Sequence, residues 1–229
     1  MTPANPVGRP TTPQSSRAPR RDALRNRRSL LQGVGEVLRT KPDALSIPSV
    51  AETAGLSVAT AYRYFNSLDE LLNSYMREVV IDLRDYSHDC PKSGTALFED
   101  VVAHWVKQLT VHGPAMIQLR SHTGFLRRLA ENDDLLLGVR DAWERPIRGV
   151  MRQLDIPDEH FNHALFLYNV LFDPRDVLDL IDSGLTEEEA VHRLVGTFYG
   201  ALRGWATAGA AAAPGGRARG NRRSAARAS

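Results

Sequence analysis

The sequence has few of the features that mark secreted, membrane or disulfide-stabilised proteins. Its one cysteine, Cys90, excludes a disulfide within the chain, which fits a reducing cytoplasm. The Pro-rich start has no apolar segment of the kind found in secretory signals. No apolar run approaches the ~18 residues that would span a membrane. We therefore expect a cytoplasmic protein without a membrane partner, of ordinary globular composition, with 42% hydrophobic and 24% charged residues.

Charge is segregated along the chain, although the net charge is only +2. Residues 1–20 carry three arginines and residues 207–229 carry five, without any acidic residue. Residues 21–67 hold seven basic and four acidic groups, whereas residues 68–206 hold 14 basic and 23 acidic groups. Such asymmetry is a hint of nucleic-acid binding, but tails that only aid solubility would show it too.

Strand patterns with period-two alternation are absent, and apolar residues recur at helical spacing nearly throughout. The sequence predicts an all-α protein with two helical domains, residues 21–67 and 68–206. The flanking segments 1–20, rich in Pro, and 207–229, rich in Arg, Ala and Gly, are predicted to be disordered. The first helix is expected from about Asp22, and the last from Glu187 to about Ala206.

Glycine and proline divide the second domain into further helices. Gly113-Pro114 is predicted to end a helix that starts near Thr95 and to separate it from the next. A later helix is expected to end at Phe172, and Asp173-Pro174 to start a short one.

Aromatic residues are only 7% of the chain, yet three of them fall within "TAYRYF". They follow a short predicted helix at 48–54, a Gly55 suited to a left-handed C-cap, and Ser57 as the N-cap of a second short helix through Phe65. Two short helices joined by a tight glycine turn predict a helix-turn-helix, whose second helix enters the DNA major groove. The alternative is that Tyr62 and Tyr64 are ordinary core aromatics.

The stretch, together with the helix on each side, resembles the tetracycline-repressor (TetR) family over about residues 21–80. The residues that carry the resemblance are Val50, Ala51, Ala54, Gly55, Leu56, Ser57, Thr60, Tyr62, Tyr64, Phe65, Ser67, Leu71 and Leu72. It implies an N-terminal three-helix DNA-binding domain, residues 21–67, and a C-terminal bundle for effector binding and dimerisation. It further implies a homodimeric transcriptional regulator, usually a repressor, which leaves a palindromic double-stranded operator when it binds a small molecule.

The resemblance also implies roles for single residues. Val58 and Ala59 would face base edges, and the hydroxyls of the other recognition-helix residues would contact phosphates. The family commonly has a lysine where this chain has Leu68, so arginines are expected to supply that phosphate contact. The predicted DNA-contacting set is Arg21, Ser46, Ser57, Val58, Ala59, Thr60, Tyr62, Arg63 and Tyr64.

The last helix carries Gly196, Gly200 and Gly204 on one face, at a cost of up to ~1 kcal/mol each relative to alanine. Close packing should offset that cost. In the family the last helices of two subunits form a four-helix interface, so we expect the glycines to line a dimer contact; packing within one subunit is the alternative. The apolar partner stripe is predicted to be Phe161, Leu165, Tyr168 and Phe172.

An effector pocket is expected between the helices from Thr95 to Leu154, if the family plan holds. The candidate lining residues are His104, Trp105, Gln108, His122 and Trp143. The acidic balance of this domain would suit a cationic effector, but a solvated acidic surface explains it as well.

Other chemistry has little support in the sequence. His160 and His163 lie on one helix face beside Glu159, a pattern that a solvated surface explains without a metal. No nucleophile–base pair or Gly-rich phosphate loop supports an enzyme, and we predict neither metal nor cofactor. The competing class is an architectural DNA-binding protein whose C-terminal bundle only dimerises.

Overall fold

A computed structural model describes residues 17–119 and 123–212; of the side chains of residues 17–20 and 209–212 it shows nothing. Within these ranges the chain forms ten α-helices, two short 3-10 turns and no strand, which confirms the all-α prediction. The helices are α1 (Arg17–Thr40), α2 (Ile47–Thr53), α3 (Val58–Tyr64), α4 (Leu68–Asp89), α5 (Gly94–Gln118), α6 (Phe125–Ala130), α7 (Asp134–Gln153), α8 (Phe161–Leu171), α9 (Pro174–Asp182) and α10 (Glu187–Ala212).

Three of the predicted helix boundaries differ by several residues from the structure. Helix α1 begins at Arg17, five residues before Asp22, α5 continues through Gly113 and Pro114 to Gln118, and α10 continues past Ala206 to Ala212. Residues 17–20 and 207–212, which were predicted to be disordered, are therefore helical. Proline removes one backbone hydrogen bond and normally ends a helix. Here the turn that follows is held by packing, since Gly113 and Ala115 are buried. The predicted disordered tails fall largely on residues 1–16 and 213–229, outside the described residues.

The N-terminal domain has its own core, formed by α1, α2, α3 and the first half of α4. Its members include the fully buried Leu30, Val34, Val50 and Leu71. A Cβ at Gly33 of α1 would lie 3.0 Å from the backbone oxygen of Val50, so a glycine is what allows α1 and α2 to pack this closely.

A second core fills the C-terminal bundle, where α7 packs against both α4 and α5. It is rich in rings: Phe98 stacks on Phe198 with centroids 4.7 Å apart, and Trp143 lies 4.3 Å from Tyr168. Arg145 of α7 donates hydrogen bonds to the carbonyl groups at the end of α4, at Ser87, His88 and Cys90, and to Lys92. These bonds satisfy carbonyls that a helix end otherwise leaves unpaired.

Helices α4 and α5 belong to both cores and so connect the two domains. Met76 of α4 and Ala115 of α5 lie in the N-terminal core, whereas Leu109 of α5 lies in the C-terminal one. At the boundary the Tyr75 hydroxyl hydrogen-bonds to Nδ1 of His112 at 2.7 Å. Burial raises the pKa of Tyr75 to about 12 and lowers the pKa of His112, so both are neutral near pH 7.

Candidate DNA interface and internal cavity

Serine side chains fix the starts of the helix-turn-helix helices. Ser46 Oγ accepts from the Ser49 backbone N–H at 3.3 Å, and Ser49 Oγ accepts from the Ser46 N–H in return. Ser57 Oγ accepts from the Thr60 N–H at 3.1 Å, and Gly55 takes the predicted positive φ, at 67°. N-caps of this kind are each worth about 1 kcal/mol. They set the angle at which α3 leaves the turn.

The recognition helix α3 presents a surface that the domain does not use for its own packing. Val58 is 40% exposed and Tyr62 is 50% exposed, and Ala59 and Arg63 are exposed beside them. Ala61, by contrast, is buried against the N-terminal core. Exposed apolar and aromatic groups at the first turns of this helix are available for contacts to base edges and phosphates.

The remaining predicted DNA-contacting residues differ in how exposed they are and in whether they already make hydrogen bonds within the protein. Arg21 is exposed on α1, before the first buried turn. Tyr64 is partly buried and packs against the N-terminal core, as does Leu68 at the start of α4. The Thr60 hydroxyl lies 2.8 Å from Ser57 Oγ, so one of its hydrogen-bonding positions is already used within the protein.

A cavity of about 400 Å³ lies in the C-terminal bundle, within the usual range for small-molecule sites. Three of the five candidate pocket residues line it, namely Trp105, Gln108 and Trp143. His104 does not: it stacks on Tyr86 and pairs with Asp82 at 3.1 Å on the outside of the bundle. His122 lies outside the described residues.

The expected helices between Thr95 and Leu154 do supply part of the lining, but sequence reasoning missed the walls that α4, α8 and the start of α9 contribute. Among them are Met76, Val80 and Leu83 of α4 and Phe166 of α8. The signal for α4 was present: its apolar residues run past the single stripe that one packed face requires, because the helix serves two cores and the cavity. Met76 belongs to the N-terminal core and also lines the cavity.

The glycines of α10 lie on an open face. A Cβ at Gly196, Gly200 or Gly204 would meet no atom within 4 Å, so the described part of the subunit does not pack against them. The close-packing alternative within one subunit is thus excluded for the described residues. Their role in a dimer stays a prediction.

The predicted partner stripe on α8 lies elsewhere. Its four side chains are buried inside the subunit: Phe161, Leu165, Tyr168 and Phe172. This placement does not support a contact with a second subunit, because a helix buries its most apolar stripe in its own core first. The exposed side of α8 instead carries Asn162 and Val170.

His160 and His163 lie with ring centroids 6.0 Å apart. The ring of His163 packs against Trp205, 5.3 Å away. Across residues 17–119 and 123–212, no group of three or more His, Cys, Asp or Glu residues is arranged to hold a metal ion. Nor does any helix in these ranges have the length and apolarity to cross a bilayer.

Comparison with known proteins agrees with this geometry. Residues 42–75, which contain the helix-turn-helix, match the family model described as "Bacterial regulatory proteins, tetR family". No curated protein matches the chain. Its fold is also found in solved structures. A TetR-family transcriptional regulator from Streptomyces coelicolor is 20% identical, with a TM-score of 0.55 over 80% of this chain and 82% of that one. The fatty acid degradation regulator FadR from Bacillus halodurans is 15% identical, with a TM-score of 0.53 over 78% and 96%.

The match covers the motif that the sequence analysis singled out, and the shared fold extends over both domains. A helix-turn-helix at this place in an all-α chain of two domains is what the resemblance implied. The chain thus carries the TetR-family helix-turn-helix region at residues 42–75, and over both domains it has the fold of a solved TetR-family regulator.

Proposed function

We propose that the protein is a cytoplasmic repressor that binds a palindromic operator as a homodimer and is released by a small molecule. In this proposal, residues 21–67 contact DNA, and residues 68–206 dimerise and hold the effector. The observation that carries it is the exposed face of α3, where Val58, Tyr62 and Arg63 project from a helix fixed at its start by Ser57.

Readout of bases on this face depends on few donors. Val58 and Ala59 offer apolar contact to thymine methyl groups, and Arg63 is the one side chain of α3 able to make a bidentate contact to guanine. Tyr62 supplies a hydroxyl for phosphate. We therefore propose that DNA shape contributes to specificity along with direct contacts, and that exposed Arg21 adds a backbone contact.

The open glycine face of α10 supports a dimer. A two-fold axis is what a palindromic operator requires, since each half-site takes one recognition helix. Glycines without a neighbour inside the subunit leave room for a second copy of α10 to approach closely. We assign this face, rather than the buried stripe of α8, to the subunit contact.

The cavity supports effector release over the architectural alternative. A bundle that only dimerises has no need for a space of about 400 Å³, because native cores are close-packed and voids cost stability. The cavity also touches Met76, which is part of the core beneath the helix-turn-helix. A ligand there is in contact with the element that leads to the DNA-binding domain.

The test is operator binding by fluorescence anisotropy, on duplexes selected from a random pool at one fixed salt concentration. Tyr62→Phe should weaken binding about 10- to 150-fold on all selected duplexes, as expected for one lost hydrogen bond to a charged phosphate. Arg63→Ala should flatten the preference among duplexes. Tyr86→Phe makes the same chemical change on α4, away from α3, and serves as the control.

Equal affinity of Tyr62→Phe and the parent protein would remove Tyr62 from the interface. Failure of the parent to enrich any duplex would contradict the proposed function as a whole.

A further inference from the structure

The cavity is walled mainly by rings and aliphatic groups. Trp105, Trp143, Phe166 and Phe172 supply flat apolar surface, and Val79 and Val139 supply branched side chains. Such a lining favours a ligand body that is apolar and planar, because aromatic side chains pack best against other rings.

Charge is nearly absent from the described lining. It contains no Asp or Glu, and its one cationic side chain is Arg128. That guanidinium is already paired with Asp133, with an N–O distance of 2.8 Å. Burial works against the charge of Asp133, but the bond from Arg128 and two backbone N–H donors hold the pKa of its carboxyl below the ordinary value. A charged ligand would lose its hydration here without gaining an unpaired counter-charge.

One lining residue carries a hydrogen-bond acceptor that has no partner among the described residues. The Gln108 amide nitrogen donates to Asp82 Oδ2 at 2.8 Å and to the Val79 carbonyl at 3.4 Å. These two acceptors fix the amide orientation, because a flipped amide would set oxygen against oxygen. Gln108 Oε1 is therefore the free end, and it is buried and unpaired.

A second lining residue carries an unpaired hydrogen-bond donor. The indole N–H of Trp143 is buried and finds no acceptor in the described part of the chain, although a buried indole normally has one. Unpaired buried polar atoms are uncommon in native proteins and cost stability. Both of these belong to residues that line one cavity.

We propose that the effector is an uncharged, mainly aromatic molecule with a carboxamide-like group, whose N–H is accepted by Gln108 Oε1 and whose carbonyl accepts from Trp143. This inference rests on the proposed effector function and specifies its ligand. Of the two explanations for the acidic balance of the domain, it favours a solvated surface over a cationic effector, since the excess acid does not lie on the described lining.

The test uses four probes of one shape: 2-naphthamide, 2-naphthoate, 2-naphthylmethylammonium and naphthalene. Each is titrated into the full-length protein, with thermal shift and calorimetry for affinity and ¹H–¹⁵N spectra for the three indole N–H groups. Trp143→Phe identifies the Trp143 signal. We expect 2-naphthamide to bind at least 5-fold more tightly than the other three and to move the Trp143 indole proton downfield.

The matched variants are Gln108→Met and Gln118→Met, which make the same change on α5. Gln108 lines the cavity, whereas Gln118 is exposed on the surface. Gln108→Met should reduce affinity for 2-naphthamide about 2- to 12-fold and leave naphthalene unaffected. Gln118→Met should change neither. Tighter binding of either charged probe, equal binding of 2-naphthamide and naphthalene, or no binding of any probe would each overturn the proposal.

The parent protein with the four probes decides the ligand class even if a variant does not fold. Operator affinity is measured in the same samples. Binding of 2-naphthamide without any change in operator affinity would support this ligand class and contradict effector release.

Discussion

Within the described residues the two domains differ in their buried polar side chains, because the buried polar atoms without a hydrogen-bond partner all lie in the C-terminal domain. In the N-terminal domain Ser46, Ser57 and Ser67 each accept a backbone N–H at a helix start. In the C-terminal domain Gln108 and Trp143 carry unpaired polar atoms beside a cavity. Under the proposed function, the short helices that contact DNA are fixed by their own side chains, whereas the domain proposed to bind the effector keeps polar groups that a ligand would satisfy. Three predictions test this difference.

The largest expected effect concerns packing density in the two domains. Phe65 is buried in the N-terminal core, with the Arg27 guanidinium 5.2 Å from its ring centre. Phe65→Ala should lower the free energy of unfolding by about 3–5 kcal/mol. Phe166→Ala should cost clearly less, by at least about 1 kcal/mol, because Phe166 is only partly buried and already borders the cavity.

Urea unfolding followed by circular dichroism, at one protein concentration, measures both free energies. Equal losses would mean that the cavity wall is packed as tightly as the N-terminal core, and the contrast between the domains would fail.

The next effect concerns the open face of α10. Gly200→Leu places a large side chain where no atom of the described subunit lies within 4 Å, so folding of the subunit should be unaffected. If a second α10 covers this face, overpacking costs about 1–3 kcal/mol, and the two-fold axis applies it twice. We expect a helical, monomer-enriched variant with much weaker operator binding, detected by sedimentation velocity and circular dichroism on one sample.

Ala96→Leu is the control, because it adds a similar side chain at an exposed position of α5. A Gly200→Leu protein that stays dimeric at low concentration would move the subunit contact to another face.

The smallest effect concerns the boundary between the domains. Burial lowers the pKa of His112, an effect that Asp82 partly opposes. His112 therefore binds a proton at lower pH in the folded state than in the unfolded state, where its pKa is near 6.5. The contribution of His112 to the free energy of unfolding should be fully present above about pH 6.5. It should decrease as the pH drops below that value, by at most about 1.4 kcal/mol per pH unit.

His112→Gln keeps an acceptor for the Tyr75 hydroxyl and removes the titration. Its melting temperature should fall less between pH 7 and pH 5 than that of the parent, while the exposed His88→Gln should follow the parent. Parallel curves for all three proteins would show that His112 is not the group responsible.

The sequence predicted best what is decided locally. Serine caps and Gly55 are signals confined to a few residues, so the helix-turn-helix could be predicted from its own short stretch of chain. The end of α5 was predicted wrongly at Gly113-Pro114, because burial of Ala115 in the N-terminal core outweighs the missing hydrogen bond. The cavity depends on the relative positions of distant helices, and only its large ring or amide residues, such as Trp105 and Gln108, were identified.

The proline within α5 has a mechanical consequence. Pro114 donates no hydrogen bond to the carbonyl of Thr110, and it lies between Leu109 of one core and Ala115 of the other. A regular α-helix resists bending, and the loss of one backbone hydrogen bond lowers that resistance at the turn where the bond is missing. One of the two helices that join the domains therefore has its most flexible point at their boundary, and under the proposed function a bend there would change the angle of the DNA-binding domain.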